Sequence, residues 1–326
     1  MKQFLVVMLA LLTLVAGCRQ EDKTVTLDKS QRLLVKFNGK FGYCDRGGIT
    51  VIPPQYDSAS LFSEGLAAVG VNGKNGYIDT NGKMVIAPTF DVGSIFLGNR
   101  ASVRKGTAWG YINQQGKMVV DAEYLSTFAF TEGLAAVVTG SGKEAKAGYI
   151  DPKGKIVIKP QFEDASQFSE GLASVKVNGK HGYIDKKGTM VIPPQFYEAA
   201  MFRDGLAMVK INGKFGIVGY IDQKGTWVIP AQYSEGTSFN EGVAAVRKAQ
   251  SWQLIDRAGK PLIPREFGSA TVFSEGLAPV KVGAGCGYID RSGKMVIEPR
   301  FEWDQRVIDQ FTHYYTHFVA DIGTGN

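Results

Sequence analysis

Gly171-Leu-Ala-Ser-Val-Lys-Val-Asn-Gly-Lys-His-Gly-Tyr-Ile-Asp-Lys-Lys-Gly-Thr-Met-Val-Ile-Pro-Pro-Gln-Phe-Tyr-Glu-Ala-Ala-Met-Phe202 contains the plan of the whole chain. Variants of it recur about eight times, from near residue 31 to near residue 302. The Gly-Tyr pair is the clearest ruler. Its tyrosines stand at Tyr43, Tyr77, Tyr111, Tyr149, Tyr183, Tyr220 and Tyr288, with Leu254 in the one slot lacking a Tyr, at gaps of 34, 34, 38, 34, 37, 34 and 34. The longer gaps come from extra residues in Thr139–Ala147 and from Gly216-Ile-Val-Gly219. A period in the thirties marks a repeat architecture, in which each unit buries its faces against its neighbours rather than in one central core. A second ruler keeps the same phase: Glu64-Gly65-Leu66-Ala67, Glu132-Gly133-Leu134-Ala135, Glu170-Gly171-Leu172-Ala173, Asp204-Gly205-Leu206-Ala207, Glu241-Gly242-Val243-Ala244 and Glu275-Gly276-Leu277-Ala278. Gly98-Asn99-Arg100-Ala101 is its one departure.

Within a unit the pattern reads as three short strands. In the first, Ala173, Val175 and Val177 alternate with Ser174 and Lys176, a period-two strand signal. Asn178-Gly179 follows, the dipeptide that best supplies positive φ at both centres of a type I′ hairpin. The second strand, Gly-Tyr-Ile-Asp, runs into Asp185–Gly188, a spacing that suits a type I turn closed by a left-handed Gly. The third, Met190-Val191-Ile192, is a continuous apolar run, which predicts burial on both faces under cover lent by neighbouring units. Pro193-Pro194 is expected to end it, since Pro cannot donate to a ladder. Phe196, Ala199 and Phe202, spaced by three, predict an irregular or 3₁₀ turn that tucks two aromatics under the next unit. The expected fold is all-β: a tandem array of about eight three-stranded antiparallel β-meander repeats, as a propeller-like toroid or an open curved solenoid.

These residues resemble the WG-repeat family of bacterial proteins. Trp109-Gly110-Tyr111-Ile112 carries the full signature, and the Trp slot is otherwise read as Phe41, Asn75, Ala147, His181, Phe215 and Cys286. Trp252 keeps the aromatic but is followed by Gln253 instead of Gly. The resemblance covers residues 31–302 and implies a β-repeat with a binding or scaffolding role and no catalytic residues. The slots that differ between units, Asn75, Trp109, His181 and Trp252, together with Arg100 of the departing turn, form the candidate binding surface.

The N-terminus has the form of an export signal: Lys2, then an apolar run from Phe4 to Ala16 that is too short to span a bilayer. It ends in Leu14-Val15-Ala16-Gly17-Cys18, which resembles the bacterial lipoprotein signal. That resemblance implies cleavage before Cys18, acylation there, and a membrane contact made through several acyl chains. The expected location is the bacterial cell envelope, at the outer membrane in a Gram-negative host, facing the periplasm or the exterior. The expected segments are a signal peptide at 1–17, the lipidated Cys and a linker at 18–30, eight repeats at 31–302, and a C-terminal cap or tail at 303–326.

Composition is that of ordinary globular protein rich in turn formers, 44% hydrophobic and 21% charged with 40 glycines in 326 residues. The net charge of +6 is spread over turn tips such as Lys40, Lys74, Lys180 and Lys214, which argues against a nucleic-acid surface. With Cys18 lipidated, Cys44 and Cys286 remain, and strand parity turns them to opposite faces, against a disulfide. His313 and His317 are four apart but lack further zinc ligands, and one Asp per turn is too few oxygens for calcium. No phosphate loop, nucleophile elbow or triad is legible. Metal and cofactor are therefore expected to be absent, and an enzyme is the least favoured reading. A binding scaffold for a protein or envelope glycan leads, and a purely structural envelope protein is the alternative.

Overall fold

A computed structural model of the chain describes residues 32–302, apart from 46–48, 214–215, 272 and 274–275. The described residues form eight antiparallel sheets, with one 3₁₀ turn, Gly142–Glu144, at the tip of the lengthened hairpin. They fall into two compact units divided between Glu123 and Tyr124. Numbered in chain order, the sheets span Leu33–Tyr56, Ser58–Phe90, Val92–Tyr124, Ser126–Phe162, Asp164–Phe196, Glu198–Tyr233, Glu235–Asp256 and Ser269–Glu302; sheets 1 to 3 build the first unit, and the last strand of sheet 3, Met118–Tyr124, reaches the division. Sheets 4 to 8 build the second.

Sheet 5 shows the local logic. Its strands are Asp164–Ala165, Leu172–Val177, Lys180–Asp185 and Met190–Phe196, hydrogen-bonded in chain order. Asn178 (φ 50°) and Gly179 (φ 74°) form the two-residue hairpin that the sequence predicts. At the next turn, Gly188 N–H donates to the Asp185 carbonyl at 2.9 Å, and the Asp185 carboxylate accepts the Lys187 and Thr189 amides. Both turns match their expectation.

Three expectations are corrected. Six of the eight sheets are four-stranded rather than three-stranded, because a two-residue strand precedes each meander. That strand, Glu198–Ala199 after Phe196, stands where the spacing by three predicts a 3₁₀ turn. The ladder wins because Ala199 can pair with Val209 on the next sheet's second strand. Pro193 and Pro194 do not end their strand but sit inside it, at a bulge between the Tyr183–Ile192 and His181–Phe196 pairs. Proline is tolerated there because the strand is an edge and the bulge needs no ladder donor.

Burial was also assigned to the wrong strand. Met190 is 37% and Val191 42% exposed, and only Ile192 of that triplet is buried, at 1%. The same holds for Met84-Val85-Ile86, Ile156-Val157-Ile158 and Trp227-Val228-Ile229. An edge strand has one hydrogen-bonded neighbour, and adjacent sheets cover just the part of it beside the central strands. The strand read as half-exposed is instead buried on both faces where it starts, Leu172 through Val175. It is a central strand, and neighbouring sheets pack on both of its sides.

Three contacts join successive sheets. Tyr183 is fully buried, donates to the Ala200 carbonyl of sheet 6 at 2.7 Å, and meets the ring of Phe202 with centroids 4.8 Å apart. Tyr43, Tyr77, Tyr149 and Tyr220 repeat both contacts on Ser60 and Phe62, Ser94 and Phe96, Ser166 and Phe168, and Thr237 and Phe239. Such a ring pair contributes about 0.5–1.5 kcal/mol beyond the area it buries. Ile192 then packs beneath Gly225, the glycine of the next sheet's Asp-x-x-Gly turn, whose left-handed φ of 83° leaves a bare surface for it. Finally, the acid of each Glu-Gly turn accepts a backbone N–H of the following one. Glu64 takes Gly98 and Asn99 (2.7 and 2.9 Å), Glu132 takes Gly171, Glu170 takes Gly205, Asp204 takes Gly242, and Glu241 takes Gly276.

Candidate binding surface

The signature glycine explains itself through the edge strand. A Cβ on Gly182 would lie 2.5 Å from the Ile192 carbonyl oxygen and 2.7 Å from Pro194 N. Gly76, Gly110, Gly148 and Gly219 face the same backbone at 2.5–2.8 Å. Sheet 7 shows the alternative. Gln253 stands in this position, and the stretch from Pro261 to Phe267 keeps the bridges of Ile255 with Pro261 and Trp252 with Phe267 and a Leu262 N–H bond to the Leu254 carbonyl at 2.8 Å, but no continuous ladder. Without the close approach the fourth strand does not form, and Gln253 instead donates to Glu266 at 2.9 Å.

The residue before each glycine is the variable slot. Ladder register places one slot per sheet and sets it opposite a residue of the second strand and one of the leading strand. The rows read Ser58, Gly70 and Asn75 in sheet 2; Val92, Arg104 and Trp109 in sheet 3; Ser126, Val138 and Ala147 in sheet 4. They continue as Asp164, Lys176 and His181; Glu198, Lys210 and Val218; Glu235, Arg247 and Trp252. The sixth-sheet slot is therefore Val218 and not Phe215, which lies outside the described residues. The inserted Gly216-Ile217 is absorbed before the strand, so pairing register decides the slot and counting from Asn212-Gly213 misplaces it.

Asn75, Trp109, His181 and Trp252 are half-buried, whereas Ala147 and Val218 are buried. The Arg104 guanidinium lies 5.8 Å from the Trp109 ring centroid, a cation–π arrangement. Arg247 and Lys210 are held by leading-strand carboxylates, Glu235 at 2.6 Å and Glu198 at 3.2 Å. His181 Nδ1 is 3.2 Å from the buried Ser174 hydroxyl. Burial pushes the His181 pKa below its ordinary value; Asp164, Glu198 and Glu163 pull it up, and Lys176 pushes it further down.

Arg100 does not join this row. Gly98-Asn99 retains the left-handed turn of the other copies (φ 64° and 59°) with Gly in the place of the acid and Arg100 in the place of the buried Leu66. Arg100 is four residues along from Arg104, roughly 13 Å of strand, at the turn end of sheet 3. The five candidates thus divide by ladder position: Asn75 and Trp109 in the first unit and His181 and Trp252 in the second hold the slot of their own sheets, and Arg100 lies at a turn end. Sequence reasoning missed the carboxylate relay at that end, where the second residue of the Asp-x-x-Gly turn also reaches the acid. Lys186 meets Glu132 at 2.8 Å, Gln223 meets Glu170 at 3.2 Å and Arg291 meets Glu241 at 2.6 Å. The signal was an acid recurring in phase with a polar or basic residue about 50 positions later.

Cys44 is buried with a free thiol, which burial makes harder to ionise. The side chain of Cys286, and Cys18, His313 and His317, lie outside the described residues. Among the described residues no three of His, Cys, Asp and Glu converge in a metal-holding group.

A family model described as WG containing repeat matches residues 41–74, 76–106, 109–142, 148–180, 182–215, 219–252, 254–285 and 287–303. The full matches up to 219–252 run from the last two strands of one sheet into the first two of the next, and 254–285 from the last strand of its sheet, so sequence repeat and sheet are out of frame. No curated protein sequence matches the chain significantly. Among solved structures, a crystal structure of the eukaryotic initiation factor superposes with a TM-score of 0.62 at 11% identity, over 84% of this chain and 86% of that one. Hsv2p of Kluyveromyces lactis aligns with a TM-score of 0.42 at 9% identity, over 72% of this chain and 92% of its own. The first shows a shared fold.

Proposed function

The chain belongs to the WG containing repeat family, and on that premise we propose that it is a non-catalytic binding scaffold, anchored to a bacterial envelope membrane through Cys18. Its fold class is read as β-propeller-like, on the four-stranded sheets taken in chain order and on the fold shared at a TM-score of 0.62. One observation carries the binding role. The Tyr, Phe and Ile that join the sheets are repeated and mostly buried, while at one ladder position the chain varies its chemistry and leaves four of the slots half-exposed: Asn75, Trp109, His181, Trp252. A scaffold that keeps its packing uniform and diversifies one slot per sheet is suited to recognition, because each slot can change at little cost to the fold.

The test is capture from envelope extracts by the full chain in detergent, against a variant with Trp109, His181 and Trp252 replaced by Ala. Saturable capture lost in the variant supports the scaffold. Capture unchanged by the variant, or absent from the wild type, refutes it and leaves a structural role. The anchor is tested separately with labelled fatty acid. Label that persists on Cys18→Ser defeats the lipoprotein reading.

A further inference from the structure

Sheet 2 departs from the other slot rows in a way that opens space. Its row reads Ser58, Gly70, Asn75, with glycine where sheets 3, 5, 6 and 7 carry Arg104, Lys176, Lys210 and Arg247. The adjoining residue is Ala68, where sheets 5 and 6 have Ser174 and Met208, and the facing leading strand of sheet 3 offers Gly93. In sheet 5 the corresponding space is filled by His181 against Ser174. In sheet 6, Val218 and Met208 crowd Gly236 at 3.1 and 3.5 Å from its Cβ position. In sheet 2 only Asn75 Cβ, at 3.4 Å, and the Tyr77 hydroxyl approach the Gly93 Cβ position, and an open pocket of about 190 Å³ remains, lined by Ser58, Ala59, Ser60, Ala68, Asn75 and Gly93.

Size and lining restrict the occupant. Pockets for drug-sized ligands run to about 300–1,000 Å³, so this one takes a single ring. The lining carries no charge, and the nearest carboxylates are already engaged, Asp57 by Lys40 and Asp91 by Lys74. An ion would enter without a counter-charge. Half of the lining is polar. The Ser58 hydroxyl occupies the space that a Gly70 side chain would need, and Asn75 Nδ2 donates to the Asp91 carbonyl at 3.2 Å, which leaves Oδ1 as an acceptor. A hydrocarbon ring would leave these groups without partners. Ala59, Ala68 and Gly93 supply the flat apolar remainder. We infer that the Asn75 cavity is a subsite for one neutral pyranose ring, either a free sugar or one residue of an envelope glycan. The inference deepens the scaffold reading and rests on it.

The test is saturation-transfer NMR and titration of the full chain in detergent, with methyl β-D-glucoside and methyl N-acetyl-β-D-glucosaminide as probes. Methyl β-D-glucuronide and indole are the charged and apolar controls. At the efficiency usual for small ligands, a ring of this size binds with a Kd of about 1 mM. An N-acetylglucosamine tetramer binding at least tenfold more tightly than the monosaccharide assigns the site to a glycan, and equal affinity assigns it to free sugar. Asn75→Trp refills the slot with the residue sheet 3 already accommodates, and is expected to weaken binding at least tenfold. Gly70→Lys restores the residue of sheet 5 and should do the same, while Lys153→Ala, at an exposed turn of the second unit, should leave binding unchanged. Absence of pyranoside binding, preference for either control, or full binding by Asn75→Trp overturns the inference. If envelope capture survives in that case, the scaffold reading stands without the subsite.

Discussion

Replacing Gly182 by Ala adds one methyl group and should cost as much as many core truncations. The added carbon would meet Ile192 O at 2.5 Å, Pro194 N at 2.7 Å and Pro193 C at 2.9 Å. These are backbone atoms of a strand paired on both sides of the contact, so no side chain can rotate away. Overpacking in well-packed sites costs about 1–3 kcal/mol, and a backbone obstacle puts this site at the upper end, about 3 kcal/mol. With m near 2 kcal/mol/M, the urea midpoint of the transition that includes sheet 5 should fall by roughly 1.5 M. Gly179→Ala is the control. It has a left-handed φ of 74° and nothing within 4 Å of the added carbon. It should cost only the backbone penalty, about 1 kcal/mol. Amide exchange adds a local readout. Gly182→Ala should loosen the central Tyr183–Ile192 pair of Met190–Phe196 while its ends stay paired, since the equivalent pair is missing beside Gln253. A Gly182→Ala cost equal to or below that of Gly179→Ala, or exchange unchanged in the edge strand, would refute the reasoning.

Tyr183→Phe keeps the ring contact with Phe202 but leaves the Ala200 carbonyl without its donor. It should cost about 1 kcal/mol by urea titration, with faster exchange confined to sheets 5 and 6. Burial lowers the pKa of His181, so the unfolded chain takes the proton first. Stability contributed at pH 7 should therefore decline as pH drops through the unfolded value near 6.5 and level off below the folded one, and the decline should shrink in His181→Gln. Glu132 shifts in the same direction and its contribution is likewise lost as pH falls, in a lower window. Burial is the largest single influence and raises its pKa, but Lys186 and the Gly171 amide together bring it below the usual carboxylate range. Glu132→Gln should lose about 1 kcal/mol at pH 7, and the difference should shrink as pH falls through the ordinary carboxylate value of 4.5 and close below the lower folded one.

Local chemistry made the repeat, its two turns and its strand-forming stretches legible, because each depends on residues within a few positions of one another. Asn178-Gly179 needs no partner elsewhere to take a left-handed pair, and the Asp185 carboxylate caps a turn that it begins. The varied slots were also visible as departures from a pattern. What tertiary structure alone decided was which strand lies at the edge. Met190-Val191-Ile192 has the composition of a strand buried on both faces, yet Met190 and Val191 are open, because burial follows from neighbours in the sheet order and not from a strand's own residues. The Val218 slot needed pairing register, the carboxylate relay needed turns from successive sheets side by side, and the Asn75 cavity needed Gly70 and Gly93 brought together from different sheets. Short-range covalent geometry is written in the order of residues. Contacts across 15 to 50 positions exist only once the sheets have packed.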